Sequence, residues 1–141
     1  VPLTAGAGPL SRAALLVEDE PLVRQATAML LRRLGFEVVA VEDGASALAR
    51  VRGDGRDRTP PIVVAVIDVL MPGIDGVETA MGLQAIAGPL PVVLCSGYVA
   101  PDRVAQLAPI APYAFLHKPF TRRELALALA KVLGDAPALT V

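Results

Sequence analysis

Apolar residues in this chain gather into five short blocks, and each block gives way to a polar group. Ala13–Val17, Phe36–Val41, Ile62–Ile67, Leu90–Cys95 and Tyr113–Leu116 read as strands. The third block is the strongest. Ile62-Val63-Val64-Ala65-Val66-Ile67 is unbroken and mostly β-branched, without the alternation of a half-solvated strand, so it predicts a strand buried on both faces.

Between the blocks the pattern changes to helical spacing. Pro21 suits a first helical turn; Leu22, Ala26, Leu30 and Leu34 recur every four residues with Val23 and Met29 alongside, and Gly35 follows. This predicts an amphipathic helix with a glycine stop. Glu42-Asp43-Gly44 supplies a turn and an N-cap for a second helix through Ala45, Leu48 and Val51. Asp75 caps a third through Val77, Ala80, Met81 and Gln84, in which Gly82 costs about 1 kcal/mol relative to alanine. A short fourth helix falls between Pro101 and Pro109, anchored by Val104 and Leu107. The fifth, Arg122–Leu133, places Leu125, Leu129 and Val132 on one face. Arg52–Pro61 reads as an exposed loop with solvated charges. Residues 1–12 lack any apolar period and read as a linker or disordered arm, 13–133 as one domain, and 134–141 as a tail.

Five strands alternating with five helices predict an α/β fold of the (βα)5 type, a doubly wound, five-stranded parallel sheet. Right-handed crossovers with helices on both faces favour the strand order 2-1-3-4-5, flavodoxin-like. Ligands of such sheets sit beyond the carboxyl ends of the strands. There the first, third, fourth and fifth strands carry Glu18 and Asp19, Asp68, Ser96, and Lys118.

Composition narrows the function classes. Net charge is −1, which gives no field toward nucleic acid or a membrane surface. No apolar run approaches the roughly 20 residues that span a bilayer. The single cysteine, Cys95, fits a reducing compartment and reads as a small buried hydrophobe, so a cytoplasmic location is expected. The opening Val1 suggests processing or excision from a longer chain.

The converging groups have a chemical logic. Asp68 stands where a buried strand stops, and burying an unpaired ion is costly, so it is expected at a mouth. Three close carboxylates repel one another unless a cation joins them, and an all-oxygen site suits Mg²⁺. Three carboxylates, one lysine and one Mg²⁺ sum to about zero charge. Phosphoryl transfer asks mainly for positioning and charge neutralisation, and a carboxylate is a known nucleophile for it. Asp68 is therefore the candidate phosphate acceptor.

The acid pair after the first strand, the run Asp68-Val69-Leu70-Met71-Pro72-Gly73-Ile74-Asp75-Gly76, Ser96-Gly97-Tyr98 and Lys118-Pro119-Phe120 together resemble the receiver domain of two-component response regulators. The resemblance covers about residues 13 to 133. It implies that Asp68 takes a phosphoryl group from a histidine kinase or histidine phosphotransfer protein. It implies that Asp19 and Asp68 bind Mg²⁺, with Glu18 helping through water and the backbone carbonyl of Leu70 completing the site. Lys118 would hold a phosphate oxygen, and the Lys118–Pro119 bond would be cis. Ser96 would hydrogen-bond the phosphoryl group while Phe115 turns inward, switching the surface of the fourth helix, fifth strand and last helix, through which a homodimer could also form. Such a domain switches a signal and turns over no metabolite, and neither nucleic acid nor membrane is an expected partner.

The chain departs from the family in places. Glu18 stands where Asp is common, Ser96 where Thr is, and Pro109-Ile110-Ala111-Pro112 precedes the fifth strand. Neither Leu70 nor Tyr98 can place an attacking water, which predicts slow self-dephosphorylation. Asp75 is better explained as a helix cap than as a ligand, and His117 as surface or packing. Two contexts are open, a free-standing regulator or the C-terminal receiver of a hybrid histidine kinase; the linker-like start and the Ser-Gly-Tyr and Lys-Pro-Phe-Thr patterns favour the second. The rivals are a degenerate receiver that binds partners without phosphate, and a small phosphatase of the haloacid dehalogenase kind. The latter wants an acid two residues after its nucleophile, where Leu70 stands.

Overall fold

The computed structural model describes residues 11–54, 57–97, 101–107 and 112–134. The elements run β1 (Ala13–Val17), α1 (Pro21–Arg33), β2 (Glu37–Val41), α2 (Gly44–Asp54), β3 (Ile62–Asp68), α3 (Gly76–Ala87), β4 (Val92–Ser96), α4 (Pro101–Ala105), β5 (Tyr113–His117) and α5 (Arg122–Leu133). The strands form one sheet in the order β2-β1-β3-β4-β5, and every pairing is parallel. Registers Val17↔Val41, Val17↔Ile67, Asp68↔Cys95 and Ser96↔His117 bring the carboxyl ends to nearly one level.

Strand alternation divides the core between the two faces. Ala14, Leu16, Val64, Val66, Val93, Ala114 and Leu116 face α1 and α5 and pack on Ala28, Leu31, Leu125, Leu129 and Val132. Leu15, Val17, Ala65, Ile67, Val92 and Leu94 face the other way, onto Ala47 of α2 and Val77, Ala80 and Leu83 of α3. This two-sided burial explains the unbroken apolar run of β3.

Several boundaries and faces differ from the sequence reading. Phe36 precedes β2 rather than starting it, yet is buried, with the Arg12 guanidinium 4.9 Å above its ring. Arg12 also accepts the Glu37 N–H on its carbonyl, so it is tied to the sheet edge. β4 starts at Val92 because Pro91 has no N–H to give, and it extends through Ser96. On α1 the buried positions are Thr27, Ala28 and Leu31, while Leu22 is 73% and Met29 52% exposed. A four-residue step advances 400° around a helix, so Leu22, Ala26, Leu30 and Leu34 sweep across the surface, and only Leu30 and Leu34 pack against the core. Met81 of α3 is likewise exposed. α4 is only five residues, with Leu107 beyond it fully buried. Residues 1–10 of the arm, 135–141 of the tail, Tyr98 and 109–111 lie outside the described residues.

The capping signals act as read. Asp75 accepts the Glu78 N–H while Glu78 accepts the Asp75 N–H, a capping box, and Thr121 and Glu124 repeat it on α5. Asp43 accepts the Ser46 N–H at 2.7 Å, and this bond holds its carboxyl below the usual range.

Close approach rather than a turn sets Gly82 and Gly76, as it does Gly44 against Thr79 and Ile74. At Gly82 an added Cβ would lie 2.8 Å from Leu48 Cδ2, so the helix-weakening residue is what lets α3 pack on α2. At Gly76 a Cβ would lie 2.5 Å from the Asp68 carbonyl oxygen and 2.7 Å from Val69 Cα. Those are backbone atoms at the end of β3 and cannot swing aside. Gly76→Ala is expected to cost about 2–3 kcal/mol, read by urea unfolding; an unchanged midpoint would contradict this packing.

Candidate functional site

The site is built by residues at the carboxyl ends of four strands: Asp68 and Ser96 on the last rungs of β3 and β4, Glu18 and Lys118 one step beyond those of β1 and β5. Counting by twos along β1, β3 and β5, Glu18 continues the face of Ala14 and Leu16, Asp68 that of Val64 and Val66, and Lys118 that of Ala114 and Leu116. All three therefore emerge on the α1/α5 side of the sheet. Ser96 continues Val92 and Leu94 and emerges on the opposite side. Main-chain bonds fix the levels: Glu18 N–H to Val41 O, Val69 N–H to Cys95 O and Lys118 N–H to Ser96 O, all 3.0–3.1 Å.

The Lys118 ammonium lies between two acids. Its Nζ is 2.7 Å from Glu18 Oε1 and 3.3 Å from Asp68 Oδ1. Glu18 and Asp68 are both buried. The second Glu18 oxygen, Oε2, accepts the Glu20 N–H at 3.2 Å. Asp19 completes the group: one carboxylate oxygen each from Glu18, Asp19 and Asp68 lie within 4.8 Å of one another. A cavity of about 10 Å³ beside them, lined also by Thr27, Cys95 and Phe120, has room for about one water.

Of the residues singled out from the sequence, Glu18, Asp19, Asp68 and Lys118 meet. Ser96 is buried at the same level on the other face. Leu70 turns its side chain to solvent two residues past Asp68. Phe115 is 36% exposed and sits edge-on to Tyr113, its ring centroid 5.8 Å away, apart from the acidic group. The Lys118–Pro119 bond is cis, as is Thr59–Pro60. Arg24 and Thr27 of α1 and Phe120 were not anticipated. Arg24 Nη1 donates to the Glu18 carbonyl at 2.9 Å and lies 3.5 Å from that of Asp19. Its signal in the sequence is a cation near the start of a helix, where the dipole disfavours it.

The sequence profile of the response regulator receiver domain matches residues 14–130. The chain belongs to that family. This receiver is 32% identical over 120 residues to the sensory transduction protein RegX3 of Mycolicibacterium smegmatis, covering 84% of this chain and 49% of the relative. It thus spans about half the length of the curated relatives it matches. Among solved structures, the chemotaxis protein CheY4 of Vibrio cholerae superposes with a TM-score of 0.75 at 25% identity, covering 89% of this chain and all of that one. The receiver domain of the hybrid histidine kinase CckA gives 0.69 at 34% identity, covering 86% and 98%. It is a receiver domain of the kind found in two-component signalling. Among the described residues no helix is long and apolar enough to cross a membrane.

The electrostatics of the receiver's pocket are those of excess negative charge. Burial, then the charge of Glu18, push the Asp68 carboxyl up to about 6 against the pull of Lys118. Burial alone would lower Lys118, but its bond to Glu18 and the charges of Asp68 and Glu18 outweigh that and raise it. Burial pushes the Cys95 thiol up to about 12, so it is no thiolate at neutral pH. Three carboxylates facing one ammonium leave about two negative charges uncompensated. Hard oxygen donors with that deficit fit a divalent cation of the Mg²⁺ kind.

Proposed function

We propose that this receiver is the phosphoacceptor of a His-to-Asp phosphorelay, with Asp68 as the nucleophile. The observation that carries the reading is the Lys118 ammonium lying between Glu18 and Asp68, drawn together from segments 50 residues apart or more. A carboxylate oxygen of Asp68 forms a bond to phosphorus as the P–N bond of a partner's phosphohistidine breaks, and the electron pair leaves with the imidazole. Lys118 moves its hydrogen bonds to a phosphoryl oxygen, offsetting the charge that Asp68 gains. Asp19, Asp68 and the Leu70 carbonyl would hold Mg²⁺, with Glu18 in the outer layer, and the ion would supply charge neutralisation at the transferring group. The donor is a histidine kinase or a histidine phosphotransfer protein, and the domain turns over no metabolite.

The output follows from the other face of the sheet. Ser96 donates a hydrogen bond to the new phosphoryl group, and the exposed Phe115 turns inward behind it, shifting the surface made by α4, β5 and α5. That surface receives the downstream partner or a second copy of the chain, in the cytoplasm. The likeness to the receiver of a hybrid histidine kinase supports a place beside such a kinase; the full reading frame decides between that and a free-standing regulator.

Acetyl phosphate or beryllofluoride with Mg²⁺ should shift the NMR resonances of the wild-type chain around Ser96 and Phe115. A silent spectrum would leave a phosphate-independent interaction module instead. The phosphoryl group, once on, should persist for minutes or longer, because the exposed apolar Leu70 cannot orient an attacking water. Following loss of the phosphorylated band on a phosphate-affinity gel checks this, and a lifetime of seconds would contradict it.

A further inference from the structure

Arg24 is placed where helix electrostatics disfavour it. It lies near the amino-terminal end of α1, where the dipole presents partial positive charge. The first turn holds no acid to compensate, and Glu20 at the N-cap makes no side-chain cap. What the guanidinium does there is bond main chain. Nη1 donates to the Glu18 carbonyl at 2.9 Å and stands 3.5 Å from the Asp19 carbonyl. The Glu18 residue is buried and lies one step beyond the last rung of β1, so its carbonyl has left the sheet ladder. A buried carbonyl without a donor is costly, and Arg24 supplies the donor.

We infer that Arg24 is a positioning residue for the acidic group: it fixes the Glu18–Asp19 turn so that those carboxylates are preset for a divalent cation. The inference rests on the Mg²⁺ reading above. Two more bonds hold the same turn, Glu20 N–H to Glu18 Oε2 and Arg24 N–H to Glu20 O, so the acid pair is restrained from both its side chain and its backbone. A planar guanidinium can address two neighbouring carbonyls at once, which a lysine ammonium on a flexible stem does poorly. Groups that orient metal ligands without touching the metal typically change affinity by about 10- to 100-fold when lost.

The test is calorimetric titration of the whole chain with MgCl₂, wild type against Arg24→Met, Arg24→Gln and Arg24→Lys, with a melting curve for each in the absence of metal. Positioning predicts that Arg24→Met raises the Mg²⁺ dissociation constant about tenfold, and that Gln and Lys, which keep a donor, recover part of it. A role through charge alone predicts the reverse: Met and Gln bind Mg²⁺ more tightly and Lys is unchanged. A purely structural role lowers the melting temperature of all three with affinities unmoved in the folded protein. Either of those results overturns the inference. Failure of the wild type to bind Mg²⁺ would instead remove the functional reading on which it stands.

Discussion

Asp68→Asn is expected to abolish phosphorylation by acetyl phosphate and the spectral response to beryllofluoride, because the amide offers no anionic oxygen to phosphorus or beryllium. The same substitution should stabilise the metal-free protein. Asp68 is pushed up to about 6 by burial and by Glu18, so the folded state binds its proton more tightly than the unfolded chain does. Its favourable contribution is present below about pH 4 and is lost as pH rises through about 6. The asparagine has no such dependence. Urea unfolding without metal should therefore show wild type and variant converging near pH 4 and separating by about 1–2 kcal/mol above pH 6, the variant being more stable. Adding Mg²⁺ should close the gap for the wild type alone. A wild-type advantage at neutral pH without metal would mean that Lys118 compensates Asp68 fully, against the excess of acid seen here.

Lys118→Met removes the cation from the same group and should act in the opposite direction. Glu18 is the more buried partner, with its side chain 5% exposed, and after the substitution the donor left to it among the described residues is the Glu20 N–H. Breaking a buried pair by removing one member leaves a charge without compensation. Because Lys118 itself is partly exposed, the expected loss is about 2–3 kcal/mol at neutral pH rather than the larger figures for sealed pairs. Lys118→Met with Glu18→Gln should recover most of it. Mg²⁺ should bind more tightly to the single variant, since a competing cation is gone, while the response to beryllofluoride disappears with the hydrogen bonds to its fluorines. Weakened Mg²⁺ binding would argue that Lys118 orders the acids rather than neutralising them.

Much of this was written locally. The unbroken run from Ile62 to Ile67 specifies a strand with both faces covered, and Asp75 with Glu78 specifies a helix start, because hydrophobic burial and capping act within a few residues. Strand order followed from the handedness of the crossovers, which any parallel sheet obeys. Even the shared face of Glu18, Asp68 and Lys118 is legible by counting in twos along each strand. The face of α1 was not. Its apolar residues outnumber the positions the sheet can cover, and the docking geometry chose Thr27, Ala28 and Leu31 while leaving Leu22 in solvent.

The sequence by itself determined the fold, the acids at the strand ends and the lysine that joins them, since each depends on local periodicity or on a residue's place at the end of a run. Only the tertiary structure decided that Lys118 rests closer to Glu18 than to Asp68, that Arg24 secures the carbonyls of the acid turn, and that Gly76 must lie against the backbone of Asp68. The physical reason is range: those choices turn on fractions of an ångström between segments far apart in the chain, and no pattern within a single segment records where another will pass.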